Sequence, residues 1–133
     1  MKMQKSALNF KGHRVTKILF EENKQFKVSD KKEIPINPSI EKRVIKLPKN
    51  DYEVQLSFTL DDEEKKLPFK LQVTISGLFS MDDEDDEFLE GNAIAILFPF
   101  LRSLIATVTV NADVPPLVLP VFNIAETLKQ EKE

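Results

Sequence analysis

The chain has no cysteine and no tryptophan, a single histidine (His13), a single tyrosine (Tyr52) and only three glycines in 133 residues. Each scarcity removes a class of chemistry. Without cysteine there is no disulfide framework, no thiolate metal site and no cysteine nucleophile, so a reducing cytoplasmic compartment is the expected location. One imidazole cannot build a site that needs two, and Gly12, Gly77 and Gly91 lie too far apart to cradle a phosphate. No acid–base pair stands beside a nucleophile, and the residues therefore predict neither an enzyme nor a resident metal or cofactor. Residues 1–7 are polar and the apolar positions after them alternate, which is not the continuous run of a leader segment.

Charge of one sign is also lacking overall but not locally. Residues 1–49 carry 13 Lys and Arg against 5 Asp and Glu, and residues 50–133 carry 6 against 17, so a net charge of −3 conceals a basic half and an acidic half. A nucleic-acid partner is not expected, because the acidic half would repel a phosphate backbone. Much of the acidity sits in six consecutive acids, Asp82 to Glu87, which self-repel and read as a solvated loop. They lack the alternate ligand positions and turn glycine of a calcium loop.

Two runs alternate with period two, which places apolar and polar side chains on opposite faces of a strand. The first is Tyr52, Val54, Leu56, Phe58 and Leu60; the second is Leu67, Phe69, Leu71, Val73 and Ile75, after the polar connector Asp61 to Lys66. Together they predict a long hairpin, with Pro68 at the start of the second strand and Gly77 as a bend at its end. Leu8 to Glu21 reads as a further strand with a bulge at Gly12, and Ile40 to Leu47 as a fourth. Between them, Glu22 to Pro38 is polar and then proline-punctuated, as an extended crossover would be.

From Asn92 the spacing changes to threes and fours over Ala93, Ile94, Leu97, Phe98, Leu101, Leu104, Ile105 and Val108, which predicts a helix apolar on nearly every side. Pro99 and Arg102 near its middle argue against a membrane span. A domain this small cannot cover all of that surface, so self-association is expected. Pro115, Pro116 and Pro120 then enclose an extended apolar stretch, and Asn123 is placed to cap a short C-terminal helix through Ile124 and Leu128. The predicted architecture is one α+β domain over residues 1–133, with residues 1–6 and 129–133 as loose ends. It has a four-stranded antiparallel sheet, with a long helix and a short C-terminal helix on one face.

Three segments carry a family resemblance: Ser76-Gly77-Leu78-Phe79-Ser80, Leu97-Phe98-Pro99-Phe100-Leu101-Arg102, and Pro115-Pro116-Leu117-Val118-Leu119-Pro120-Val121-Phe122-Asn123. In this order, behind a matching hairpin, the chain resembles the SecB protein-export chaperones from about Ala7 to Leu128. The resemblance implies a cytoplasmic homotetramer, a dimer of dimers, that holds unfolded or precursor polypeptides in apolar grooves without ATP. It places the client groove on Ile34, Ile36, Ile40, Phe122, Ile124 and Leu128, and the oligomer interface on Phe98, Phe100, Leu101, Leu104, Ile105 and Val108. Family members that deliver clients to the SecA motor use an acidic outer sheet face. The aligned positions here are Lys17, Glu21, Lys70 and Gln72, so Glu21 alone keeps the sign, and the family's long tail is cut short after Leu128. The resemblance thus implies a chaperone of the export family and leaves delivery to SecA open. A SecB-like chaperone dedicated to one partner, such as the antitoxin of a toxin-antitoxin system, is the first alternative, and a structural or ligand-binding α+β oligomer the second.

Overall fold

The computed structural model describes residues 8–24, 38–60, 68–82 and 86–112. Four strands, β1 (Leu8–Glu22), β2 (Ser39–Lys46), β3 (Asp51–Leu60) and β4 (Phe69–Met81), are followed by one helix, α1 (Asp86–Asn111). All neighbours pair antiparallel, in the order β1-β4-β3-β2. The strand alternation is realised as expected: Tyr52, Val54, Leu56, Phe58 and Leu60 are buried on one face of β3, and Phe69, Leu71, Val73 and Ile75 on the same face of β4. Leu89, Ala93, Ile94, Leu97, Phe98, Leu101 and Ile105 of α1 close over that face and complete a single core. Burying a side chain of this size contributes about 1.5–3 kcal/mol, and this continuous apolar layer is what holds the sheet and helix together.

Several expectations require correction. Gly77 is not a bend: β4 runs through it to Met81. A Cβ there would lie 2.8 Å from Leu97 Cδ2 and 2.8 Å from Phe79 Cε1, so glycine is present because α1 approaches the strand closely. The acidic run is not wholly a loop either, since α1 begins at Asp86, six positions before the expected start. Acids in a first helical turn face the unsatisfied N–H groups and the positive end of the helix dipole, which favours them there. The expected C-terminal helix and the crossover over 25–37 lie outside the described residues.

By length and composition α1 is apolar enough to cross a bilayer, with a mean hydropathy of 2.0 over 18 residues. Its core face is instead occupied by the sheet. Near its end the polar Thr109 is buried without penalty, because its hydroxyl donates to the Ile105 and Ala106 carbonyls at 2.9 and 3.0 Å.

Strands β2 and β3 are joined by a tight turn in which Lys49 and Asn50 both have φ of 62°. Leu47 N donates to Asp51 O at 2.8 Å across it. Two successive left-handed residues are the signature of a type I′ hairpin, which favours Asn-Gly. Lysine in that conformation costs about 1 kcal/mol. Replacing Lys49→Asn together with Asn50→Gly should therefore raise the urea midpoint by the equivalent of about 1 kcal/mol; an unchanged midpoint would show that the turn adopts another conformation in solution.

Candidate interaction surfaces

On the helix side of the sheet, α1 covers β3 and β4 and only part of β1. Phe10 and His13 of β1 reach it through an aromatic cluster: the Phe10 ring centroid is 5.2 Å from Phe79 and 6.1 Å from Phe100, and His13 stacks on Phe100 at 4.1 Å. His13 lies opposite Gly77 in the strand register. Beyond the cluster the cover ends. Val15 and Ile18, on the same face, are 44% and 53% exposed, and Phe100 itself is 40% exposed. At the opposite edge, Lys42 of β2 forms an ion pair with Glu90 of α1, which ties that strand to the helix.

The outer face is polar and internally paired. Glu53 accepts from the Ser76 hydroxyl at 2.6 Å and from Gln55 Nε2 at 3.3 Å, with Arg14 Nη2 at 3.8 Å. The Ser76 bond, then the Gln55 bond and the nearby Arg14 and Arg43 charges, hold the Glu53 carboxyl below its usual range. Lys11 Nζ meets Asp51 Oδ1 at 3.1 Å, and the Ser57 and Thr74 hydroxyls lie 2.9 Å apart across β3 and β4. Strand β1 carries two bulges on this sheet, one between Phe10 and Gly12 and one between Val15 and Lys17. The first coincides with the expected bulge at Gly12, whose φ is 128°. It opens a depression of about 320 Å³ lined by Lys11, Arg14, Leu47, Glu53, Ser76 and Leu78, among others. Neither the second bulge nor this polar network had a signal in the sequence, because both depend on which strands become neighbours.

The expected site residues fall into three groups. Ile40 is buried at 7% exposure on β2, opposite Phe58, and so belongs to the core and not to an open groove. Ile34, Ile36, Phe122, Ile124 and Leu128 lie outside the described residues. Of the six helix positions, Phe98, Leu101 and Ile105 are buried in the chain's own core, whereas Leu104 and Val108 are half-buried and Phe100 is exposed. The physical reason is phase: an all-round apolar helix does not reveal which side meets the sheet. Glu21 stands exposed on the outer face of β1, opposite Lys70. Among the described residues no group of three His, Asp or Glu is placed to hold a metal ion.

A four-stranded antiparallel sheet in this order, carrying one long helix, is the fold of SecB-like chaperones. The Mycobacterium tuberculosis SecB-like chaperone Rv1957, solved in complex with a ChAD peptide from the Rv1956 HigA1 antitoxin, superposes with a TM-score of 0.70 at 15% identity, covering 86% of this chain and 90% of that one. A Streptococcus agalactiae protein of unknown function superposes with a TM-score of 0.54 at 14% identity, covering 89% and 100%. The family model described as preprotein translocase subunit SecB matches residues 2–133, and the chain belongs to the SecB family. It is 33% identical to the uncharacterized protein MJ0357 of Methanocaldococcus jannaschii, over 97% of this chain and 87% of that protein. It is 38% identical to the protein-export protein SecB of Anaplasma phagocytophilum, over 60% of this chain and 56% of that one, so the match spans about half of the export protein's length.

Proposed function

We propose that the chain is an ATP-independent holding chaperone that binds unfolded or precursor polypeptides along an apolar groove in the cytoplasm. Membership of the SecB family carries this reading. The proposed groove is built from Ile34, Ile36, Phe122, Ile124 and Leu128, with Ile40 anchoring in the core the strand into which the crossover leads. Holding works by mass action: many apolar contacts bind the unfolded state and not the native one, so a client stays unfolded without energy input. Self-association into a homotetramer, a dimer of dimers, would present several grooves and raise the effective concentration for the second contact. Exposed Val15, Ile18 and Phe100 support that association, since apolar side chains of this size gain from being covered.

Size exclusion with light scattering, run with a reduced and permanently unfolded client, tests the reading. Co-elution with the unfolded chain and not with its folded form, together with delayed client aggregation, is the expected result; failure of both overturns it. A dedicated chaperone for an antitoxin is the second reading. It is favoured by the peptide bound to the M. tuberculosis neighbour and by Lys17, Lys70 and Gln72 standing where the SecA-delivering members have acids. One dominant partner in pull-downs supports it, and many unrelated precursors with no dominant partner exclude it.

A further inference from the structure

The bulge at Gly12 shapes the outer face as well as the strand. Lys11 is skipped by the register with β4, in which Phe10 meets Phe79 and Gly12 meets Leu78. Nothing stands within 4 Å of where a Cβ on Gly12 would be. The depression of about 320 Å³ that opens there has walls of three kinds. Lys11 and Arg14 bring two cations, the Arg14 side chain 73% exposed. Leu78, 36% exposed, brings with Leu47 an apolar floor. Glu53 brings one carboxylate, whose Oε2 already accepts from Ser76 and Gln55. Asp51, at 3.1 Å, engages one of the three donors on Lys11 Nζ, and the His13 ring is turned away onto Phe100. The lining side chains thus carry two positive charges against one negative, so one further carboxylate balances the site. The leucines favour a carboxylate attached to an aliphatic group.

We propose that this depression is a docking site for the C-terminus of a partner polypeptide that ends in an aliphatic residue. Along an extended chain neighbouring side chains point to opposite faces, so an acidic residue and the aliphatic one beside it cannot both enter so small a space. The last residue of a polypeptide carries both groups on one Cα. Its carboxylate lies across Arg14, which offers paired donors, and Lys11; its side chain rests on Leu47 and Leu78. At about 320 Å³ the depression is at the small end of ligand sites and suits a single residue. The residues before it leave over the polar outer face, past Gln55 and the Ser57 and Thr74 hydroxyls. Any side chain at position 12 would project from the same face as Arg14 and occupy the space, so glycine serves the site as well as the backbone φ of 128°. The site is separate from the proposed client groove. It is also remote from Glu21 and its partner Lys70, since Lys70 and Leu78 are about 26 Å apart along β4 at 3.3 Å per residue.

Fluorescence anisotropy of the full chain with a six-residue Gly-Ser peptide ending in leucine, labelled at its N-terminus, tests the proposal. The free-acid peptide should bind saturably. Amidation of its carboxylate, exchange of its last leucine for serine, and Arg14→Ser should each weaken binding about tenfold or more. Arg14 is exposed, so its replacement leaves the fold intact. Lys17→Ser removes a charge of the same sign from the same face of β1 and should change the affinity less than twofold, which separates a built site from general attraction. Equal binding of the amide, equal losses from Arg14→Ser and Lys17→Ser, or no saturable binding of the free acid at millimolar concentration would overturn the proposal. So would displacement of the peptide by an unfolded client, which would put it in the client groove. Peptide binding by a chain that holds no client overturns the chaperone reading alone.

Discussion

Gly77→Val is expected to be the most damaging single substitution in the sheet, and Gly77→Ala to cost about 2 kcal/mol. The added Cβ would meet Leu97 Cδ2 and Phe79 Cε1, each at 2.8 Å, and the Phe79 Cζ at 3.2 Å. Both neighbours are fully buried. Neither can turn away without displacing another core side chain, so the helix would have to lift from the strand. Valine adds two more methyl groups to the same gap and should remove a third or more of a stability that for such domains is about 5–15 kcal/mol. Gly91 is the control. It lies in α1 with nothing within 4 Å of an added Cβ, and Gly91→Ala should stabilise by about 0.5–1 kcal/mol. Urea unfolding of the three variants checks the set, and equal midpoints for Gly77→Ala and Gly91→Ala would show that α1 does not pack on β4 as described.

Leu101→Ala and Phe100→Ala, adjacent in sequence, should behave in opposite ways. Leu101 is fully buried between helix and sheet, and its truncation leaves a cavity that should cost about 3 kcal/mol. Phe100 is 40% exposed, and its loss removes the stack with His13 at a cost of about 1 kcal/mol. Its larger effect should fall on association, measured as the concentration at which the oligomer dissociates, since an exposed aromatic gains most where a second surface covers it. A Leu101→Ala variant that keeps its unfolding midpoint would contradict the core; a Phe100→Ala variant that unfolds as readily as Leu101→Ala would move Phe100 into it.

The two contrasts also mark where the sequence was readable. Period-two alternation identified β3 and β4 and their buried faces because every second residue is apolar over each run, and no other structure uses that spacing. The helix was equally evident, but its phase was not: Phe98, Leu101 and Ile105 resemble Phe100 in composition and differ only in which neighbour they meet. Its start lies earlier than the spacing predicts because six consecutive acids read as solvent-exposed, whereas a helix N-terminus accommodates acids. The Lys49-Asn50 turn carries no glycine to announce it. Glu53 joins Ser76 and Arg14 only once β4 lies between β1 and β3, a fact of strand order that no local pattern encodes. The family was legible from three separated segments because each preserves a local constraint, whether a close approach, a helix surface or a fixed proline.

The sheet order has a consequence for how the chain is made. Strands β2, β3 and β4 are consecutive neighbours and can zip together as they emerge, but β1 pairs only with β4, so Leu8 must wait for Met81. Forming that ladder closes a loop spanning most of the domain, which is entropically the slowest step available to it. During synthesis β1 leaves the ribosome first and docks last. Through that interval its apolar residues are open to any other nascent strand, so the newborn chain passes through the same vulnerable state as an unfolded client.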